Sequence, residues 1–419
     1  MIPHRGPTVD QTSLTIVLPL TLAAFFVAFA CWTLFAVIGV DLQRIFQLSN
    51  TRYALLIAMP VLAGGLLSFP LGLMTQRFGG RRVILACLVG LVVALALLSW
   101  VTSYTGFLLA GAGLGMAGGL FSAGLHYLVS YLPPGRAGLV FGVFGVGLGG
   151  AGFSYLIVPA VREAYSWELA PLAYLLVIVL IILLLLVLTD PEPRPSQSPQ
   201  PSRSDATAQL WITPMACRFS LYFGFLFGGV VALMLWLPGY LSAVFSLSLD
   251  DGARWSLLFA LPMVLSQVPG GMGADRFGSV LVLRIALFSA LVLLFLLSYP
   301  DTTMTIHGVT RDIPLHLAPS LSVSVVLLVL LSAAMGTGIG AVMRLLFEQF
   351  PKHLGGVGGM MLASGCISAF ALPMMFGMAN DLVGIRSSVF MLLFALCGMT
   401  VLTLESAHYR HYRPLDRAL

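Results

Sequence analysis

The chain has 419 residues, 59% of them hydrophobic and only 9% charged, with a formal net charge of +5 and a mean hydropathy of +0.99. Soluble globular proteins carry about 25% charged residues, so that class is excluded. Apolar runs of roughly 18 or more residues recur from end to end, each long enough to cross a bilayer core.

Residues 1–12 (MIPHRGPTVDQT) are polar. The apolar run after them lacks a small-residue cleavage site, so it reads as a first helix rather than a leader. In lipid a backbone must satisfy its own hydrogen bonds, which makes each run a helix. The first six spans are expected at 13–40, 53–74, 83–101, 106–131, 138–161 and 169–189. Asp190 to Gln209 (DPEPRPSQSPQPSRSDATAQ) is rich in Pro, Ser and Gln and reads as a disordered linker. Six more spans follow, at 215–241, 253–272, 280–299, 318–347, 356–379 and 387–404.

The expected fold is therefore an all-α membrane protein of twelve transmembrane helices in two six-helix bundles. Residues 1–189 form the first bundle, 190–213 a cytoplasmic linker, and 214–419 the second bundle with a short tail. With the N-terminus inside, thirteen loop Arg and Lys residues fall on the cytoplasmic side. Six fall outside: Arg44, Arg52, Arg162, Arg254, Arg311 and Arg386. Basic residues accumulate in cytoplasmic loops, so both termini are expected inside. The same bias accounts for the net positive charge without nucleic acid, because the basic residues stand singly at span ends. Five cysteines (Cys31, Cys87, Cys217, Cys366, Cys397) lie in apolar segments with no CxxC or His-rich spacing, and read as small packing residues. Met360, Met361, Met374, Met375 and Met378 around Cys366 read as flexible packing rather than a soft-metal site.

The two bundles are related. An offset of 199 residues carries Pro70 onto Pro269, Gly72 onto Gly271, Arg77 onto Arg276, Phe78 onto Phe277 and Gly79 onto Gly278. Such an internal repeat outranks any single motif as a fold signal. The turns GLMTQRFGGRR (72–82) and GMGADRFG (271–278) pack glycines for close helix approach and sharp reversal around a basic residue.

Two six-helix halves with these turns resemble the major facilitator superfamily, whose substrate site lies between the halves at mid-membrane. The resemblance marks Gln76, Arg77, Gly79, Asp275, Arg276 and Gly278 as gating-loop residues, with an acid expected at the position of Gln76. Residues 59–82, YLPPGRAGLVFGVFGVGLGGAG (131–152), LYFGFLFGGVVALMLWLPGYL (221–241) and GIGAVMRLLFEQFPKHLGG (338–356) are similar to the nitrate/nitrite porter branch. That branch carries arginines where Ser68 and Gln267 stand here, and asparagines where Leu148 and Ile339 stand. A planar guanidinium suits an oxyanion; a hydroxyl and a neutral amide do not replace its charge.

The substrate-binding candidates are Ser68, Gln267, Tyr222, His126 and Arg344. Ser68 and Gln267 are equivalent under the 199-residue repeat; the alternative for each is a hydrogen bond to a neighbouring helix. Tyr222 matches an aromatic position that contacts substrate in the resembling branch. His126 lies some ten residues before the Arg136 loop, roughly 15 Å deep at 1.5 Å per residue, where an ionisable group is a functional candidate or a neutral packing histidine. Arg344 can serve an anion, snorkel, or pair with Glu348 four residues on. Phe121, Tyr127, Tyr155 and Trp236 are further cavity or packing candidates.

No Walker loop, HExxH, GxSxG or dinucleotide fingerprint is present, so the sequence offers no basis for an enzyme, a cofactor or a resident metal. The expectation is a monomeric secondary transporter working by alternating access, placed in a bacterial inner membrane. Its cargo would be a nitrate/nitrite-type anion, moved with a coupling proton or an exchanged anion. A neutral or weakly charged solute, or a non-transporting sensor or assembly partner, are the alternatives.

Overall fold

The computed structural model describes residues 11–35, 38, 42, 45–48, 50–133, 135–165, 167–190, 213–247, 249–300, 302–307, 312–317 and 320–412. The linker segment 191–212 and the two chain ends lie outside this set. Twelve helices among the described residues are long and apolar enough to cross a membrane.

In the first half they are α1 (Gln11–Trp32), α2 (Asn50–Phe78), α3 (Gly80–Leu98) and α4 (Tyr104–Val129), followed by α5, from Ala137 to Ala164, and α6 (Ala170–Leu188). In the second they are α7 (Pro214–Phe245), α8 (Leu249–Phe277), α9 (Ser279–Leu297), α10 (Leu321–Gln349), α11 (Leu354–Val383) and α12 (Ser388–Tyr412). Several helices overrun their expected ends. In particular α2 and α8 stay helical through Phe78 and Phe277, so Arg77 and Arg276 close a helix rather than opening a loop. Gly79 and Gly278 then turn the chain at φ 88° and 91°, a region other residues adopt only with strain.

A two-stranded hairpin joins α9 to α10 and was not expected from the sequence. β1 (Thr302–His307) and β2 (Asp312–Leu317) pair antiparallel, from Thr302 opposite Leu317 to His307 opposite Asp312. It marks one end of the bundle as the hairpin end; the opposite end carries the linker.

Helices α3, α6, α9 and α12 support the bundle from outside. α6 turns Leu176, Leu180, Leu183 and Val187 outward, as a lipid-facing helix should. Its C-terminal carbonyls are capped by Arg81: Nη2 donates to Leu185 O (3.0 Å) and Nε to Thr189 Oγ1 (2.9 Å). In the second half Arg284 of α9 forks onto Glu405 of α12, at 2.5 and 2.9 Å, which gives this support-helix arginine a structural partner.

The halves meet along two seams, α2 against α11 and α5 against α8. A Cβ added at Gly72 would overlap the Gly355 carbonyl, and one at Gly271 would overlap the Gly138 carbonyl. Only glycine permits backbones so close. The offsets that relate the helices, 199 from α2 to α8 and 217 from α5 to α11, carry one glycine pair onto the other.

Candidate functional site

At the linker end of the α5–α8 seam, Asp275 accepts hydrogen bonds from the backbone N–H of Gly138 (2.8 Å) and Leu139 (2.9 Å). These are free donors of the first turn of α5, where a carboxylate is favoured by both hydrogen bonding and the helix dipole. Arg344 of α10 donates its Nε to the same carboxylate at 2.7 Å, and its Nη1 lies 3.2 Å from Glu348. Ser279 donates to the other Glu348 oxygen, and the guanidinium sits 5.6 Å over the Phe347 ring. Asp275 and Arg344 are 10% and 18% exposed. The charge of Arg344 is therefore already matched by two carboxylates, so an anion would have to compete for it.

The counterpart seam is built differently. Gln76 stands where Asp275 stands and places its amide nitrogen beside Gly356 at the start of α11. That nitrogen is buried without a partner. An offset of 218 relates α4 to α10, carrying Gly118, packed on Gly64, onto Gly336, packed on Met263. It carries His126 onto Arg344. His126 is half-buried and makes no hydrogen bond or ion pair among the described residues. His353 precedes α11 as Arg136 precedes α5; its buried Nδ1 is also unpartnered. Burial, then the nearby Lys352, pulls the His353 pKa below its ordinary value. One seam is thus latched by charge, and the other has Gln76 and His126 in place of the Asp275–Arg344 pair.

Ser68 and Gln267 sit higher, inside the seams, both 0% exposed. The Ser68 hydroxyl lies 2.8 Å from Gly65 O and 2.9 Å from Gly359 O, so it ties α2 to α11. Gln267 donates to the Met263 sulfur at 3.3 Å, a weak acceptor. Its Oε1 faces Gly145 of α5 and has no partner. Thr21 of α1 leaves a second buried, unpartnered oxygen beside the α4–α5 contact. Arginine-sized side chains at 68 and 267 would need space that the closed seams do not offer.

Between these polar points lies an aromatic layer that motif reading missed except for Phe121. Phe25 stacks on Phe144 (4.7 Å, 19°), Phe121 meets Phe223 across the halves (5.4 Å), and Phe223 stacks on Phe227 (5.2 Å, 14°). A π-turn at Gly224–Gly228 within α7 begins just after Phe223 and includes Phe227. Such turns disturb the helical hydrogen-bond ladder, and Ser364 of α11 donates to the Ser220 carbonyl at 2.7 Å. Tyr222 is buried and directed toward Thr403 of the support helix α12. Tyr127 reaches the Asp190 carbonyl at 3.3 Å, and Trp236 packs edge-on against Phe376. The side chain of Tyr155 lies outside the described residues.

The model of the Major Facilitator Superfamily matches residues 20–373. The chain is 30% identical to the probable nitrate/nitrite antiporter NarK1 of Thermus thermophilus, over 92% of this chain and 90% of that protein. It is 27% identical to the probable nitrate/nitrite transporter NarK2 of Mycobacterium tuberculosis, covering 92% and 94%. Against the nitrite extrusion protein of Bacillus subtilis it is 26% identical, covering 87% of each. Among solved structures it is similar to the transporter FucP in the outward conformation, with a TM-score of 0.72 and 16% identity over 94% and 99% of the two chains. The proton:xylose symporter XylE gives a TM-score of 0.72 at 13% identity, over 94% and 96%.

Proposed function

The chain belongs to the Major Facilitator Superfamily, and from that premise we propose that it carries a small inorganic anion of the nitrate or nitrite type. It has the alternating-access fold of a secondary transporter. The observation that carries the cargo reading is the 30% identity to a probable nitrate/nitrite antiporter over 92% of the chain. In this reading the α2–α11 and α5–α8 seams close the linker end while the path faces the other way. Asp275, Arg344 and the start of α5 hold that state.

The site departs from a charged one, and the departure has an energetic consequence. Desolvating an anion costs several kcal/mol unless a cation compensates. Ser68 and Gln267 offer none, and Arg344 is paired. At about 1.4 kcal/mol per decade, mid-membrane affinity should fall by on the order of a hundredfold relative to a site with a free arginine pair. Nitrate transport by this chain is thus expected to be of low affinity. Uptake of nitrate and nitrite into proteoliposomes, with and without a proton gradient, tests this; absence of saturable uptake of either anion sinks it.

A second cargo class is favoured by one observation. Gln267 Oε1 is a buried acceptor without a partner, and an unused buried acceptor costs about 1–3 kcal/mol. A neutral solute presenting an N–H or O–H donor would relieve that cost, and a fully ionised anion would not. Uptake of small neutral solutes in the same liposomes, with no nitrate flux, would establish this reading instead.

A further inference from the structure

At the hairpin end, α7 packs Trp236 against Phe376 of α11, while its Pro238 carbonyl lies beside Gly252 of α8. α8 packs on α5 and α11 on α2 at the two glycine seams between the halves. The face of α7 between its α8 and α11 contacts carries Leu235, which is 52% exposed.

Two adjoining cavities open beside this face. One, of about 340 Å³, is lined by Tyr240, Tyr299, Arg386 and Ser387 among others. The other, of about 210 Å³, is lined by Leu235, Trp236, Gly239, Tyr240, Ala243, Asn380 and Arg386. Arg386 is a wall common to both. Its Nη1 donates to the Ala243 carbonyl, which pins the guanidinium at this rim. No carboxylate pairs with it among the described residues. Of the other arginines assigned to this side, the two with described side chains are engaged: Arg254 with Asp251 at 3.7 Å, and Arg52 over the Tyr104 ring at 5.9 Å.

A guanidinium has five N–H donors in a planar fork matched to oxyanions. With one donor used, the remaining edge can take a planar anion in two parallel hydrogen bonds. Asn380 supplies an amide in the same cavity, and the Trp236 and Tyr240 rings flank it. We propose that Arg386 and Asn380 form an outer capture site for a small planar oxyanion, occupied before the anion enters the path. This rests on the anion reading of the cargo, and it places the available positive charge at the hairpin end rather than at mid-membrane. Capture of this kind raises the rate of encounter and is screened by salt.

The test uses the full chain in two formats. In proteoliposomes, Arg386→Gln should raise the KM for external nitrate by about threefold to tenfold, leave the saturating rate unchanged, and flatten the dependence of uptake on ionic strength. Arg386→Lys keeps the charge but not the fork, and should fall between. In detergent, nitrate should alter the fluorescence of Trp236, defined as the signal lost in Trp236→Phe, and Arg386→Gln should abolish the response at matched ionic strength in gluconate. Equal melting temperatures of the variants exclude a folding defect. Nitrate uptake with unchanged KM and salt dependence in Arg386→Gln overturns the capture site and leaves the cargo reading standing. An Arg386-dependent fluorescence titration without nitrate uptake overturns the cargo reading and leaves the anion site. Neither signal overturns both.

Discussion

Arg344 shows how a residue's neighbours decide its chemistry. Alone in an apolar span it is a candidate anion ligand; beside Asp275 and Glu348 it is half of a latch. Replacing Asp275 by Asn removes the charge that both the α5 N-terminus and Arg344 use. The closed seam should lose about 2 kcal/mol, a shift of about thirtyfold toward opening at the linker end. Spin labels at Arg136 and Arg276 would read that shift as a longer distance, and an unchanged distribution would count against the latch. His126, the counterpart of Arg344, makes no described ion pair. His126→Gln is expected to flatten the pH profile of transport while the protein still folds. An unchanged profile would make this histidine a packing residue.

Among elements, the two seams share a glycine plan and differ in their chemistry. The α5–α8 seam ends in Asp275 on two backbone donors; the α2–α11 seam ends in the neutral Gln76 beside Gly356. Gln76→Asp should give α11 the cap that α5 already has. A carboxylate at a helix N-terminus is worth roughly 0.5–2 kcal/mol, so the linker end should stay closed longer and turnover should slow. Spin labels at Arg82 and Lys352 should report a larger closed fraction; a smaller one would contradict the account. Gly138→Ala acts through packing instead, because its Cβ would meet the Gly271 carbonyl. Overpacking costs about 1–3 kcal/mol, so this variant should favour the opposite, linker-end-open state on the same labels.

At the scale of the whole molecule, the thirteen-to-six basic bias is the ground for expecting the linker inside and the hairpin outside. A cysteine at Ser198 should resist an impermeant thiol reagent in intact cells and react after permeabilisation. The exposed native Cys217 lies near the same end and must be replaced first. Efficient labelling of intact cells would reverse the orientation. Orientation also bears on Arg386, because a capture site works only on the side from which the anion arrives.

The twelve spans and the twofold repeat were legible from sequence because they follow from local rules. Lipid requires each backbone segment to bond within itself, and a duplicated chain keeps its glycines and basic turns at a fixed offset. The same offset identified Ser68 and Gln267 as equivalent. What their side chains meet depends on residues hundreds of positions away: Ser68 on Gly359, and Gln267 against Gly145. The phenylalanine layer escaped notice because an apolar ring in an apolar span carries no mark of whether it faces lipid, helix or path. The hairpin was missed because its twelve strand residues lie in a loop too short and mixed to show a period. Sequence fixes which segments enter the membrane, since that depends on local transfer energies. Only the tertiary structure decides which charges are already matched, since matching depends on the distances between segments.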